Sequence, residues 1–223
     1  MNEMNELRFS VDGKFEVSAV VVRSDKANWM LVLGHGAGAG MHHPFMRALA
    51  EELAKVGVAT LRYQFPYMEE RRKAPDKPAV LTATVAAAVQ VAAKAAPDLS
   101  LLAGGKSMGG RMTSQAAAEG ILPGVRGLVF FGFPLHPPKQ PGTKRAEHLA
   151  NVTVPMLFLQ GTRDDLADLK LLKPICKKLG KLTTLHVIET ADHSFRVLKK
   201  TGRGDEEVLR ELAETTAEWA KRI

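Results

Sequence analysis

Cysteine is almost missing from the 223 residues: Cys176 is the only one. A lone thiol cannot close an internal disulfide, which excludes a disulfide scaffold and fits a reducing compartment. It falls in LLKPICKKLGKL, a helical stretch with no glycine-framed turn, so it reads as a buried structural thiol. Aromatic residues are few, at 6%, and no helix-turn-helix, finger or basic-zipper spacing occurs. The net charge of +7 is therefore read as scattered surface charge rather than a nucleic-acid face. No apolar run approaches the ~20 residues needed to span a bilayer. The start, MNEMNELRFSVDGKFEVSAVVV, has no basic segment followed by an apolar core. These absences predict a cytoplasmic globule with neither nucleic acid nor membrane as partner, and they leave its oligomeric state open.

What is present is ordinary globular composition, 45% hydrophobic and 25% charged, enough for one domain over residues 1–223. Short β-branched or apolar runs alternate with longer amphipathic stretches, which predicts a mainly parallel sheet of about seven strands with helices on both faces. The strands are read in KFEVSAVVVRS, WMLVLGHG, GVATLRYQF, LSLLAGG, VRGLVFFGF, VPMLFLQG and LTTLHVIE. Helices are expected over Pro44 to Val56, Pro78 to Ala96, Ser107 to Glu119, Leu166 to Leu179 and Asp205 to Arg222. Asp76 is placed to cap the second, and Asp12-Gly13 to turn LRFSV back antiparallel on the first strand.

The most informative stretch is LLAGGKSMGGRM, in which Gly105-Lys106-Ser107-Met108-Gly109 fits G-x-S-x-G between an apolar strand and a helix-forming run. A serine there is either a helix cap or a nucleophile. The nucleophile reading needs a histidine to take its proton and a carboxylate to orient that histidine, following in the order Ser, Asp, His. VPMLFLQG runs into TRDD, which offers Asp164, with its neighbour Asp165 as the alternative. TTLHVIE runs into TADHSF, which offers His193. All three lie at the C-terminal ends of strands, where open α/β sheets carry their sites.

Acyl transfer also needs N–H donors for an oxyanion: the Met108 amide is one, and LGHGAGAG supplies Ala37, with Gly38 next. That glycine run lacks the ending of a phosphate loop and the spacing of a dinucleotide loop, so no organic cofactor is expected. His42 and His43 have no third ligand nearby, so no metal is expected either and a role at the helix start is preferred. PLHPPKQPGTKRAEHLANV has room for a loop and one short helix, which predicts a cleft without a lid. His35, Gly38, Arg62, Lys106 and Arg111 are candidates for substrate binding, the basic ones favouring an anionic ester or thioester.

With those residues in view, the chain resembles the small lidless α/β-hydrolases of bacteria, near the dienelactone hydrolase group and similar to animal testis-expressed protein 30. The likeness is carried by LGHGAGAGMHHPFM, LRYQFPYMEERRKAPDKP, GGKSMGGRM, GFPLHPP, VPMLFLQGTRD and ADHSF. It implies an α/β-hydrolase fold and a Ser107, Asp164, His193 triad; the residues together predict a serine hydrolase of small-acid esters or thioesters without cofactor, the alternatives being a non-catalytic binding or scaffold protein, a dienelactone-type hydrolase or a peptidase. Dienelactone hydrolases proper use cysteine where this chain has Ser107. The family commonly continues GTRD with proline and small residues, whereas Asp165-Leu166-Ala167 follows here, which keeps both aspartates open.

Overall fold

Side chains alternate across a strand, so a strand covered on both faces must be apolar at every position. The central strands obey this rule in a computed structural model that describes residues 3–223. In β3 (Trp29–Gly34), Met30 and Val32 face one side while Leu31 and Leu33 face the other. β5 (Ser100–Lys106), β6 (Val125–Phe131) and β7 (Met156–Gly161) divide likewise, with Phe130 and Phe158 on the first side and Phe131 and Leu159 on the second. α3 (Pro78–Ala95), α4 (Met108–Ala118) and α5 (Leu169–Leu179) cover the first side through Val85, Met112 and Leu172. α1 (Pro44–Lys55) and α6 (Asp205–Ala220) cover the second through Leu49, Leu53, Leu212 and Trp219.

Among the described residues the sheet has eight strands in the order β1-β2-β4-β3-β5-β6-β7-β8, completed by β1 (Glu3–Val11), β2 (Phe15–Arg23), β4 (Val58–Tyr63) and β8 (Thr183–Ile188). The count exceeds the expected seven because β1 joins as a full antiparallel partner of β2. The turn between them places Asp12 and Gly13 at φ 52° and 65°. β2 also meets β4 antiparallel, and every remaining pair is parallel. Between β6 and β7 the chain holds only a proline-rich loop and a 3-10 turn, Lys144–Asn151, so no cap covers the C-terminal edge of the sheet.

Helix starts follow local chemistry. His43 Nδ1 accepts the Phe45 N–H at 3.2 Å ahead of α1, and Asp168 caps α5 by accepting from Lys170 N at 2.8 Å. In α6, Glu207 reaches back to the Gly204 N–H at 2.8 Å. Asp76 does not cap α3, which starts from Lys77. Its carboxylate instead accepts from Tyr67 N at 2.8 Å and Arg72 Nη2 at 2.6 Å, tying the short helix α2 (Pro66–Glu69) to the following loop. α3 is long and apolar enough to cross a membrane by length and composition alone, with a mean hydropathy of 1.4. Its Leu81, Val85, Ala88 and Val89 lie in the core against the sheet.

One backbone contact decides how the last two parallel strands end. A Cβ on Gly161 would stand 2.3 Å from Ala191 O and 3.0 Å from Asp192 O. The turn after β7 and the loop after β8 therefore touch main chain to main chain. Gly161→Ala is expected to lower the unfolding free energy by about 1–3 kcal/mol, because overpacking here meets backbone that cannot rotate away. Urea titration of the variant against the parent checks this.

Candidate active site

Ser107 sits at φ 51° and ψ −113°, between β5 and α4. A left-handed, non-glycine backbone of this kind stores strain and aims the side chain away from the helix that follows. The surroundings leave the chain little choice. A Cβ on Gly105 would lie 2.4 Å from Gly34 O, and one on Gly109 would lie 2.3 Å from the same oxygen. β3, β5 and the start of α4 are thus in direct backbone contact, which explains the glycines around the serine. The Ser107 N–H donates to Phe131 O at 3.1 Å, and its carbonyl accepts the Arg111 N–H at 3.1 Å. Although Ser107 occupies the N-cap position, its hydroxyl does not cap the helix.

The hydroxyl instead donates to His193 Nε2 at 2.9 Å, while His193 Nδ1 donates to Asp164 Oδ2 at 2.7 Å. The carboxylate can only accept, so it fixes the proton on Nδ1 and leaves Nε2 free to receive one. Asp164 is 1% exposed at its side chain. It is satisfied from three directions: His193, the Leu166 N–H on Oδ1 at 2.8 Å, and Gln160 Nε2 on Oδ2 at 2.5 Å. Asp165 is exposed, so Asp164 is the carboxylate the fold brings to the histidine. Asp192 shapes the histidine loop by accepting the Ser194 and Arg196 N–H groups at 2.8 and 2.9 Å.

Gln160 was not singled out in the sequence. It is fully buried in β7, and its Oε1 also accepts the Phe133 N–H at 2.9 Å, so it locks the carboxylate to the strand beside it. The available signal was an amide at the end of an otherwise apolar strand, four residues before the aspartate.

The loop after β3 is held by two buried rings. His35 Nε2 accepts the Phe65 N–H at 3.1 Å, so the neutral ring carries its proton on Nδ1 and donates to Gly36 O at 2.8 Å. Burial pushes its pKa down to about 4. Tyr67 Oη accepts the Gly38 N–H at 3.0 Å. Ala37 remains on the cleft wall beside Ser107. The Met108 N–H, first in α4, has no intrahelical acceptor and is available at the helix's positive end.

Several substrate-binding candidates lie elsewhere. His35 is wholly buried and shapes the loop from behind, while Gly38, on the exposed side of the loop, commits its amide to Tyr67. Arg62 is buried in β4 and donates to Met41 O at 3.0 Å. Arg111 lies outside the cleft, where the neighbouring charge is Arg145. Lys106 lines the cleft, yet its Nζ is buried, with no hydrogen-bond partner among the described residues. The cleft has a volume of about 730 Å³. It opens between α1, the histidine loop and α6, walled by Phe45, Met46, Phe195, Val208 and Leu209. The Phe45 and Phe195 rings stack at 5.8 Å.

Two outcomes follow from these contacts. Gln160→Leu should cut turnover about tenfold or more while costing about 1–3 kcal/mol of stability. The change leaves the Phe133 N–H unpaired and Asp164 short of a donor, and steady-state kinetics with a melt read both effects. His35 is neutral in the folded chain and protonates below its ordinary 6.5 in the unfolded one. Stability must therefore fall as pH drops from about 6.5 toward 4, and His35→Gln should flatten that slope by about one proton. Unfolding measured across pH 4 to 7 tests it.

The chain matches the model of the alpha/beta hydrolase domain family over residues 27–221. Among solved structures it is similar to a dienelactone hydrolase from Anabaena variabilis, at 22% identity and a TM-score of 0.77, over 99% of this chain and 98% of that one. It is also similar to an α/β serine hydrolase without a lid from Xanthomonas campestris, at 18% identity and a TM-score of 0.71, covering 95% and 94%. The esterase domain of a Rhodothermus marinus protein aligns at 15% identity and a TM-score of 0.70, covering 99% and 98%. At these identities the likeness is one of fold, whereas the family match spans most of the sequence. The chain belongs to the alpha/beta hydrolase domain family.

Proposed function

We propose that the protein is a serine hydrolase that cleaves an ester or thioester of a small acid through an acyl-enzyme intermediate. The observation that carries this reading is the single histidine hydrogen-bonded to both Ser107 and Asp164 at the wall of an uncapped cleft. Ser107 Oγ attacks the acyl carbon as His193 Nε2 takes its proton. The imidazolium returns that proton to the leaving alcohol or thiol; the neutral ring then takes a proton from water as its oxygen attacks the acyl carbon, and passes it back to Ser107 Oγ as the acid leaves. Asp164 holds the ring in the accepting tautomer. The Met108 and Ala37 amides donate to the oxyanion, the second drawn from a loop already braced by His35 and Tyr67.

The apolar wall formed by Phe45, Met46, Phe195 and Val208 suits an uncharged acyl group. An anionic substrate would meet exposed Arg196 rather than Arg62, Arg111 or Lys106, and Asp205 on the same wall offsets that charge. The similarity to dienelactone hydrolase is compatible with related substrates, but Ser107 stands where that group has cysteine. The buried Cys176 fits residence in the cytoplasm, where a small-molecule ester is the expected partner.

A fluorophosphonate probe should label the parent at Ser107, and Ser107→Ala should lose labelling and at least about 10⁴-fold in hydrolysis of short acyl p-nitrophenyl esters. A folded parent that neither labels nor turns over any member of an ester and thioester panel would mean that the fold serves binding instead. A Ser107→Ala variant with full activity would overturn the mechanism.

A further inference from the structure

Lys106 immediately precedes the candidate nucleophile, and its ammonium is accounted for neither by the hydrolytic steps nor by substrate binding. Nζ is buried, and no acceptor among the described residues reaches it. Its position is fixed by what surrounds Gly132. That residue, at φ 70°, follows β6 without a side chain, and a Cβ there would stand 3.1 Å from Lys106 Nζ, 3.5 Å from Asp164 Oδ2 and 3.5 Å from His193 Cε1. The missing side chain thus opens one small space onto which the ammonium, the carboxylate and the imidazole all border. The remaining side is the Phe195 ring, whose centroid is 5.6 Å from Nζ and whose face attracts a cation.

We propose that Lys106 is a positioning residue for the Ser107 reaction, its buried charge holding His193 as the neutral acceptor of the serine proton. This rests on the serine-hydrolase reading. A desolvated carboxylate beside an imidazole favours the imidazolium at rest, and an imidazolium carries a proton on Nε2 and cannot take one from Ser107. A cation on the far side of the pair opposes that resting protonation. In the transition state the ring does become charged, but the oxyanion formed at the same moment supplies the balancing charge. The charged and titratable groups facing Lys106 are Asp164 from the turn after β7, and Asp192 and His193 from the loop after β8. Burial pulls the ammonium down to about 8 while Asp164 and Asp192 hold it up, so it is mostly charged at neutral pH.

The experiment is the rate of fluorophosphonate labelling at Ser107 from pH 4.5 to 9 in the parent, Lys106→Met, Lys106→Gln and Lys106→Arg, with thermal melts confirming that each is folded. Met and Gln remove a buried charge that has no hydrogen-bond acceptor among the described residues, and both keep most of the side chain's volume, so at least one neutral variant is expected to retain the parent's melting temperature. In the neutral variants the acidic midpoint should move up by about one pH unit, because loss of a nearby cation eases ring protonation. Lys106→Arg should return the midpoint toward the parent's. A folded neutral variant with an unshifted midpoint overturns the proposal. If the parent is not labelled at any pH, the hydrolase reading fails instead. The His193 ring resonances, assigned through His193→Gln and titrated by NMR, then decide whether Lys106 biases the ring: the same upward shift supports it, and none refutes it.

Discussion

The left-handed backbone at Ser107 is the constraint on which the rest of the site depends. Holding a non-glycine residue at φ 51° costs about 1–3 kcal/mol, and it persists only where the surroundings over-determine it. Here they do, because Gly34, Gly105 and Gly109 let two strands and a helix close on one another with no side chain between them. The core on both faces of the sheet supplies the cohesion that keeps this junction shut. The same geometry turns the hydroxyl out of the capping role its position would otherwise assign and toward His193.

Around that junction, buried charge is arranged by direction rather than by number. Asp164 is nearly inaccessible, yet each oxygen meets an N–H donor, so the desolvation of a carboxylate is met by local hydrogen bonds. Lys106 is the opposite case, a cation without a hydrogen-bond acceptor among the described residues, steadied by an aromatic face and by two carboxylates at longer range. Arg62 is a third arrangement, bound to the Met41 backbone carbonyl in the loop before α1. Three charged side chains thus occupy the interior under three different local rules.

Much of this was legible in the sequence, and what was not has a physical cause. Strand runs and helix periodicity located the elements to within a few residues, because burial on both faces writes continuous apolar runs. β1 reads in the sequence as a hairpin arm rather than as a strand of the sheet, since its alternating pattern is weaker than the continuous apolar run of a buried strand. Ser107, Asp164 and His193 stood out because order and strand-end placement are sequence properties. The choice between Asp164 and Asp165 was not available there, since neighbouring residues in a turn differ only in where their side chains point. Gln160 was hidden because a single amide in a strand gives no periodic signal. Arg62, Arg111 and His35 were assigned to the cleft from residue type and proximity along the chain, neither of which tells whether a side chain faces the cavity, the core or another helix.

His35 and Tyr67 bind the loop after β3 from its inner side, through contacts made entirely within the protein. The consequence is one of timing. A loop fastened this way has its amides aimed before any ligand arrives, so the free energy of ordering it is met once, when the chain folds, and is not charged again against each round of binding. An uncapped cleft has no closing motion with which to assemble a site on demand, and a rigid inner brace removes the need for one.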